Sequence, residues 1–208
     1  MTMSRRDFIK KVGMSTLGLA LAVSGCGSNA TAKPADAAAS QVKTAATSAA
    51  GGKRVLVAYF SWSGNTRALA NTIHQKVGGD IVEIVPEKAY PQEYQATVDQ
   101  AKAEQQQNAR PAITTKIDLS QYDVVMLGYP NWWGSMPMPV HTFISENNWQ
   151  GKTVLPFFTH GGGGVQRCYS DLQAAITGAS FGEYLCLSGG SAANAGSQVD
   201  SWLSKNNL

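Results

Sequence analysis

Residues 59–66 of this 208-residue chain read Tyr-Phe-Ser-Trp-Ser-Gly-Asn-Thr. The pattern is a hydrophobic strand, a hydroxyl-rich turn around Gly64, and a helix start. Ser61, Ser63 and Thr66 offer hydroxyl donors, and Gly64 lets the backbone turn tightly so that its N–H groups face one point. A helix beginning there adds its orphan N–H groups and the positive end of its dipole. Such a turn suits a phosphate held without a lysine. A plain Ser/Gly turn with a Thr or Asn helix cap would have the same composition. Two better-known phosphate loops are excluded, because neither the Lys-Ser/Thr ending nor the G-x-G-x-x-G spacing is present.

Two more loops carry unusual residues. Residues 129–139 contain Pro130, Asn131, the adjacent Trp132 and Trp133, and Gly134. Tryptophans on a surface loop are costly in water unless they cover something flat and apolar. The other use is to plug the end of the core, and one of the pair is expected to do so. Residues 159–164 are Thr159, His160 and four glycines from Gly161 to Gly164. Without side chains, backbone N–H groups there can approach a ring edge directly, and a flexible hinge would use the same residues.

The elements that must position these loops alternate strand and helix. The continuous apolar run at 54–60 predicts a strand covered on both faces, and the segments 80–85, 122–129, 153–159 and 183–188 predict four more strands. Between them, Leu69, Ile73 and Val77 predict a helix over 66–77 that stops at Gly78-Gly79. Pro91 opens a polar helix to about Gln107 with Tyr94, Val98 and Ala101 inward. Val140, Phe143 and Ile144 mark a third helix, and Cys168, Leu172 and Ile176 a fourth. A last helix carries Val199, Trp202 and Leu203. The alternation implies an α/β fold with a parallel, doubly wound sheet. The three loops follow strands one, three and four, so they share the carboxyl edge, where such sheets bind ligands.

The turn SWSGNT, the loop PNWWG and this strand–helix order resemble the flavodoxin family over residues 53–208. The resemblance implies a five-stranded sheet of order 2-1-3-4-5 with helices on both faces, non-covalent FMN, and electron transfer. Ser61, Ser63, Gly64, Asn65 and Thr66 would hold the FMN phosphate, with Trp62 in the same turn. Pro130, Asn131, Trp132 and Trp133 would line the site, Trp133 stacking on or edging the isoalloxazine. Gly134 would supply the peptide whose carbonyl turns toward flavin N5 when the ring gains a proton. Thr159, His160 and Gly161, with Gly162 and Gly163 beside them, would line the pyrimidine edge. Many family members place an aromatic residue in the third loop. This chain has His160 and glycines there, closer to flavodoxin-like quinone reductases.

The N-terminus concerns location. Residues 4–11, Ser-Arg-Arg-Asp-Phe-Ile-Lys-Lys, precede an apolar stretch from Val12 to Val23. That stretch is short of the ~20 residues that span a bilayer but suits a signal peptide. Paired Arg5 and Arg6 resemble a twin-arginine export signal. VSGC at 23–26 resembles a lipobox that would acylate Cys26, with cleavage after Ala32 as the rival. The expected organisation is a signal at 1–26, a disordered Ala/Ser/Thr-rich tether at 27–52 and a folded domain at 53–208. Membrane attachment would then be through lipid on Cys26, on the extracytoplasmic side.

Six of the 17 basic and two of the 14 acidic residues precede Lys53, leaving 11 and 12 in the domain and a formal charge of −1. The basic balance therefore belongs to the leader and gives no case for nucleic-acid binding. No metal-ligand spacing is present. Cys186 reads as a small core hydrophobe, and whether it meets Cys168 is left open. Two functions compete: a carrier shuttling electrons between redox partner proteins or quinones, and an FMN-dependent NAD(P)H:quinone oxidoreductase. A flavin-free binding protein on the same fold is a third, disfavoured by the complete phosphate turn. The carrier is preferred, because no nicotinamide-binding feature is visible.

Overall fold

The computed structural model describes residues 52–208. Arg5, Arg6, Cys26 and the tether up to residue 51 lie outside the described residues. Among the described residues no helix is long and apolar enough to cross a membrane.

The sheet is wholly parallel. Strand β1 (Val55–Tyr59) pairs with β2 (Asp80–Glu83) on one side and β3 (Val124–Pro130) on the other, and β3 pairs with β4 (Thr153–His160). Two short strands, β5 (Ser180–Phe181) and β6 (Leu185–Ser188), share the fifth position beside β4, giving the order 2-1-3-4-5. Side-chain alternation along β1 builds two cores. Val55, Val57 and Tyr59 face α1 (Asn65–Val77) and α5 (Gly196–Lys205), while Leu56, Ala58 and Phe60 face the other layer. That layer includes α3 (Met138–Ser145) and α4 (Cys168–Ala175), through Val140, Phe143 and Leu172.

Two expectations need correction. A single fifth strand over 183–188 is not what forms. Val154 accepts the Gly182 N–H through its carbonyl, so residue 154 faces the fifth strand, and by alternation Pro156 does too. Proline has no N–H to give, and the ladder breaks opposite it. The displaced Glu183 peptide is satisfied instead from α5: Asn206 Oδ1 accepts its N–H at 2.9 Å, and Trp202 Nε1 donates to its carbonyl at 2.7 Å.

The second correction concerns α2 (Tyr94–Gln106), whose buried residues are Thr97 and Ala101, with Val98 half-buried and Tyr94 68 % exposed. The Glu93 carboxylate caps this helix by accepting from Gln95 and Ala96 N–H, so Tyr94 is its first residue. Its ring then lies outward against Trp62, centroids 6.2 Å apart.

Candidate flavin site

Tyr59, Gly128 and Phe157 lie abreast on β1, β3 and β4, so the segments after these strands emerge at one edge. The chain leaves β1 for β2 on one side and later returns to β3 on the other, which makes this edge the topological switch point. Hydrogen bonds tie the loops together: Asn131 N–H donates to Thr159 O at 2.7 Å, and the hydroxyls of Thr66 and Thr159 meet at 2.8 Å. All three predicted loops therefore converge.

The first loop leaves a helix start and a buried hydroxyl without partners. Gly64, at φ +90°, is the N-cap of α1, and no side chain caps the helix. The alternative of a Thr or Asn cap is thus not what this turn does, and no acidic residue occupies the first helical turn. Ser61 is 9 % exposed, and its Oγ has no hydrogen-bond partner among the described residues. A buried hydroxyl without a partner costs about 1–3 kcal/mol. Ser63 and Asn65 are exposed at the mouth. The Thr66–Thr159 hydroxyl pair shares one hydrogen internally and keeps one to donate.

Arg67, one residue beyond the motif, also belongs here. Its Nη1 lies 3.9 Å from where a Cβ on Gly64 would be, and Glu83 takes the guanidinium in two bonds of 3.0 and 2.5 Å. The same Glu83 carboxylate accepts from the Tyr59 phenol at 3.2 Å, and burial first, then Glu83, raises the Tyr59 pKa. The turn was legible without a lysine, but the arginine beside it appears only once α1 and β2 are packed together.

In the second loop the two tryptophans divide the expected roles. Trp132 packs edge-on against Phe60 and Tyr90, centroids 5.3 and 5.1 Å away, and closes the end of the core. Its backbone exchanges two hydrogen bonds with Ser135, enclosing Trp133 at φ +53° and Gly134 at φ +82°. Two successive positive φ values make a primed turn, natural for glycine and strained for tryptophan. Trp133 is 45 % exposed, donates from Nε1 to Val98 O at 3.0 Å, and has Lys102 Nζ 5.0 Å from its ring centroid. Trp62 similarly spends its indole N–H on Pro91 O. Between Trp62, α2 and the tryptophan pair lies a cavity of about 260 Å³. With the Trp62 and Trp133 indole N–H groups already bonded, aromatic rings and the Val98 and Ala101 side chains make its lining mainly apolar.

Asn131 binds structure rather than solvent: Oδ1 accepts the Gly134 N–H, and Nδ2 donates to Gly164 O and to Gln166 Oε1. The Gly134 carbonyl accepts from Arg167 N–H at 2.9 Å. Ser135 Oγ donates to Asp171, and Cys168 Sγ to Ser135 O at 3.5 Å. Pro130 ends β3, and Ser135 and Met136 beyond the turn are buried. Among the described residues Cys168 and Cys186 are free thiols, and burial pushes the Cys168 thiol up to about 12, so it stays protonated.

The third loop is open. His160 closes β4, with Nδ1 accepting the Gly162 N–H at 3.0 Å. A Cβ placed on Gly161 would meet nothing within 4 Å, and Gly163 is exposed at the rim. Gly162 also has free space, but its φ of +128° resists any side chain.

The sequence profile of the family described as Flavodoxin matches residues 54–206. The chain belongs to the flavodoxin family. Among solved structures it is similar to a candidate flavoprotein from Bacteroides uniformis, at 32 % identity and TM-score 0.64, covering 72 % of this chain and 97 % of that one. A candidate flavoprotein from Bacteroides eggerthii matches at 30 % identity and TM-score 0.67, covering 75 % and 99 %. A Lactobacillus acidophilus flavoprotein, solved in complex with FMN, matches at 26 % and TM-score 0.58, covering 72 % and 98 %. No curated protein matches the chain.

Proposed function

We propose that this flavodoxin-family protein binds FMN and transfers electrons, attached by lipid on the outer side of the cytoplasmic membrane. FMN is the cofactor of the reading, supported by the family and by the FMN complex of the Lactobacillus acidophilus relative. The observation that carries it is the buried, unpartnered Ser61 hydroxyl beside an uncapped helix start. A phosphate would give that hydroxyl its partner and meet the helix N–H groups at once. Ser61, Ser63, Thr66 and the backbone around Gly64 would hold the phosphate, while Trp133 and the glycines after His160 would border the ring. FMN, when bound, accepts and returns one or two electrons. The chain's own part is to bind it, keep the tryptophan turn in place and leave one edge accessible to a partner. The twin-arginine reading is consistent with this, because that route carries folded proteins and a cofactor can be inserted before export.

One observation favours a second reading, an FMN-dependent NAD(P)H:quinone oxidoreductase. The open space above Gly161 leaves room for a substrate. Stopped-flow mixing of the FMN-loaded protein with NADH or NADPH separates the two. The carrier is expected to show negligible flavin bleaching by either nucleotide and ready reduction by small one-electron donors. Rapid, saturable NAD(P)H oxidation would establish the enzyme. In that case Gly161→Leu should cut turnover by a larger factor than it weakens FMN, and Gly161 is the better position than Gly162 because its backbone carries no positive φ.

A further inference from the structure

Among the described residues four non-glycine positions have positive φ: Asn108, Trp133, Gln166 and Asn207. The two asparagines follow the ends of α2 and α5, where a left-handed residue is an ordinary helix stop. Trp133 and Gln166 have no such reason, and both border the candidate ring site. Strain of this kind persists only where the surroundings over-determine it.

What surrounds Gln166 is a closed clasp. Its Oε1 accepts from Asn131 Nδ2 at 2.9 Å, and Asn131 Oδ1 accepts from Gly134 N–H at 2.9 Å. The next residue, Arg167, returns a backbone N–H to the Gly134 carbonyl at 2.9 Å. Gly134 is thus gripped by both its N–H and its C=O. The Gln166 carboxamide also fills the gap between loops, with Oε1 3.3 Å from a Cβ position on Gly134 and 3.5 Å from one on Gly163. A Cβ on Gly134 would press on it and one on Gly163 would meet it at ordinary contact distance, so the Gln166 carboxamide packs between the tryptophan turn and the glycine loop.

We propose that Gln166 is the positioning residue of the ring site: acting through Asn131, it holds the Trp133–Gly134 turn against the glycine loop, so that the flavin ring meets a preformed slot. The flavin part of this rests on the function proposed above, whereas the clasp itself does not. Gln166→Leu keeps the bulk and removes the acceptor. Gln166→Glu keeps an acceptor for Asn131 and adds a negative charge.

The full chain carrying each substitution should be compared in two measurements. In the first, FMN and riboflavin are titrated and the flavin midpoint potential is recorded. Gln166→Leu should weaken both ligands by a similar factor of about ten, because the ring slot rather than the phosphate turn is loosened. Its midpoint should move by about 30 mV, the two-electron equivalent of a tenfold difference between oxidised and reduced affinities. Gln166→Glu should restore binding to near wild type with a midpoint below it. Unchanged affinity and midpoint in Gln166→Leu would overturn the positioning role. The second measurement is amide hydrogen exchange in the flavin-free protein. Gln166→Leu should speed exchange at Gly134 and Arg167 at least tenfold and leave the β1 amides alone; unchanged exchange would show that the clasp does not exist. If the wild-type protein binds neither flavin, the function and the ring-site role fail together, while the exchange result still decides the clasp.

Discussion

At the residue scale, Ser61 and the tryptophan pair give the sharpest tests. Ser61→Ala removes a buried hydroxyl without a partner, which should stabilise the cofactor-free protein by on the order of 1 kcal/mol. The same change should weaken FMN at least tenfold, since a hydrogen bond to a charged group contributes ~1.5–3 kcal/mol. Riboflavin, lacking the phosphate, should be much less affected. Thermal melts and flavin titrations of one variant would then move in opposite directions, and equal losses for both flavins would sink the phosphate assignment. The tryptophans should separate similarly. Trp133→Ala should weaken FMN and brighten flavin emission with little change in the melt, because the residue is 45 % exposed. Trp132→Ala opens a gap against Phe60 and Tyr90 and should lower stability by up to about 3 kcal/mol. A large emission change from Trp132→Ala alone would reverse the two roles.

At the element scale, α2 is a polar helix whose placement depends on its cap. Hydrogen bonds from Ala96 and then Gln95 hold the Glu93 carboxyl below its ordinary value of 4.5. A depressed folded pKa means that the unfolded chain takes up the proton first, so the cap's contribution is present above pH 4.5 and is lost as pH falls through the folded value. The gap in thermal midpoint between wild type and Glu93→Ala should therefore close as the pH falls below 4.5. A gap independent of pH would show that the carboxylate charge does not matter to the cap. Because Val98 and Thr97 of this helix line the cavity beside Trp133, flavin affinity should follow the same pH trend.

At the scale of the whole molecule, residues 53–208 are nearly neutral and the positive charge is concentrated in residues 1–52. Recognition by an export machine is therefore proposed to lie in Arg5 and Arg6 rather than in the domain. Replacing both with lysine should leave the FMN-loaded precursor in the cytoplasm, as cell fractionation with flavin fluorescence would show; normal export of that variant would refute the twin-arginine reading. Cys26→Ala should prevent lipid attachment, which radiolabelled fatty acid incorporation would report directly.

The sequence by itself determined the order of elements, the parallel sheet and the three loops at one edge. Those follow from local chemistry: continuous apolar runs, helical spacing, and a glycine turn that only a few backbones accept. The carboxyl-edge placement of Ser61, Trp133 and His160 came with them, because chain direction fixes which end of a parallel strand a loop leaves. Tertiary structure decided what depends on neighbours distant in sequence. Pro156 was visible in its strand, yet whether its missing N–H faced β3 or the fifth strand depended on register, and that choice split β5 from β6. Arg67 starts beside the Gly64 turn, but the orientation of its guanidinium is fixed by Glu83 on β2. Trp132 and Trp133 are identical side chains in adjacent positions. A primed turn capped by Asn131, whose amide Gln166 holds from 35 residues further along the chain, sends one into the core and the other into solvent.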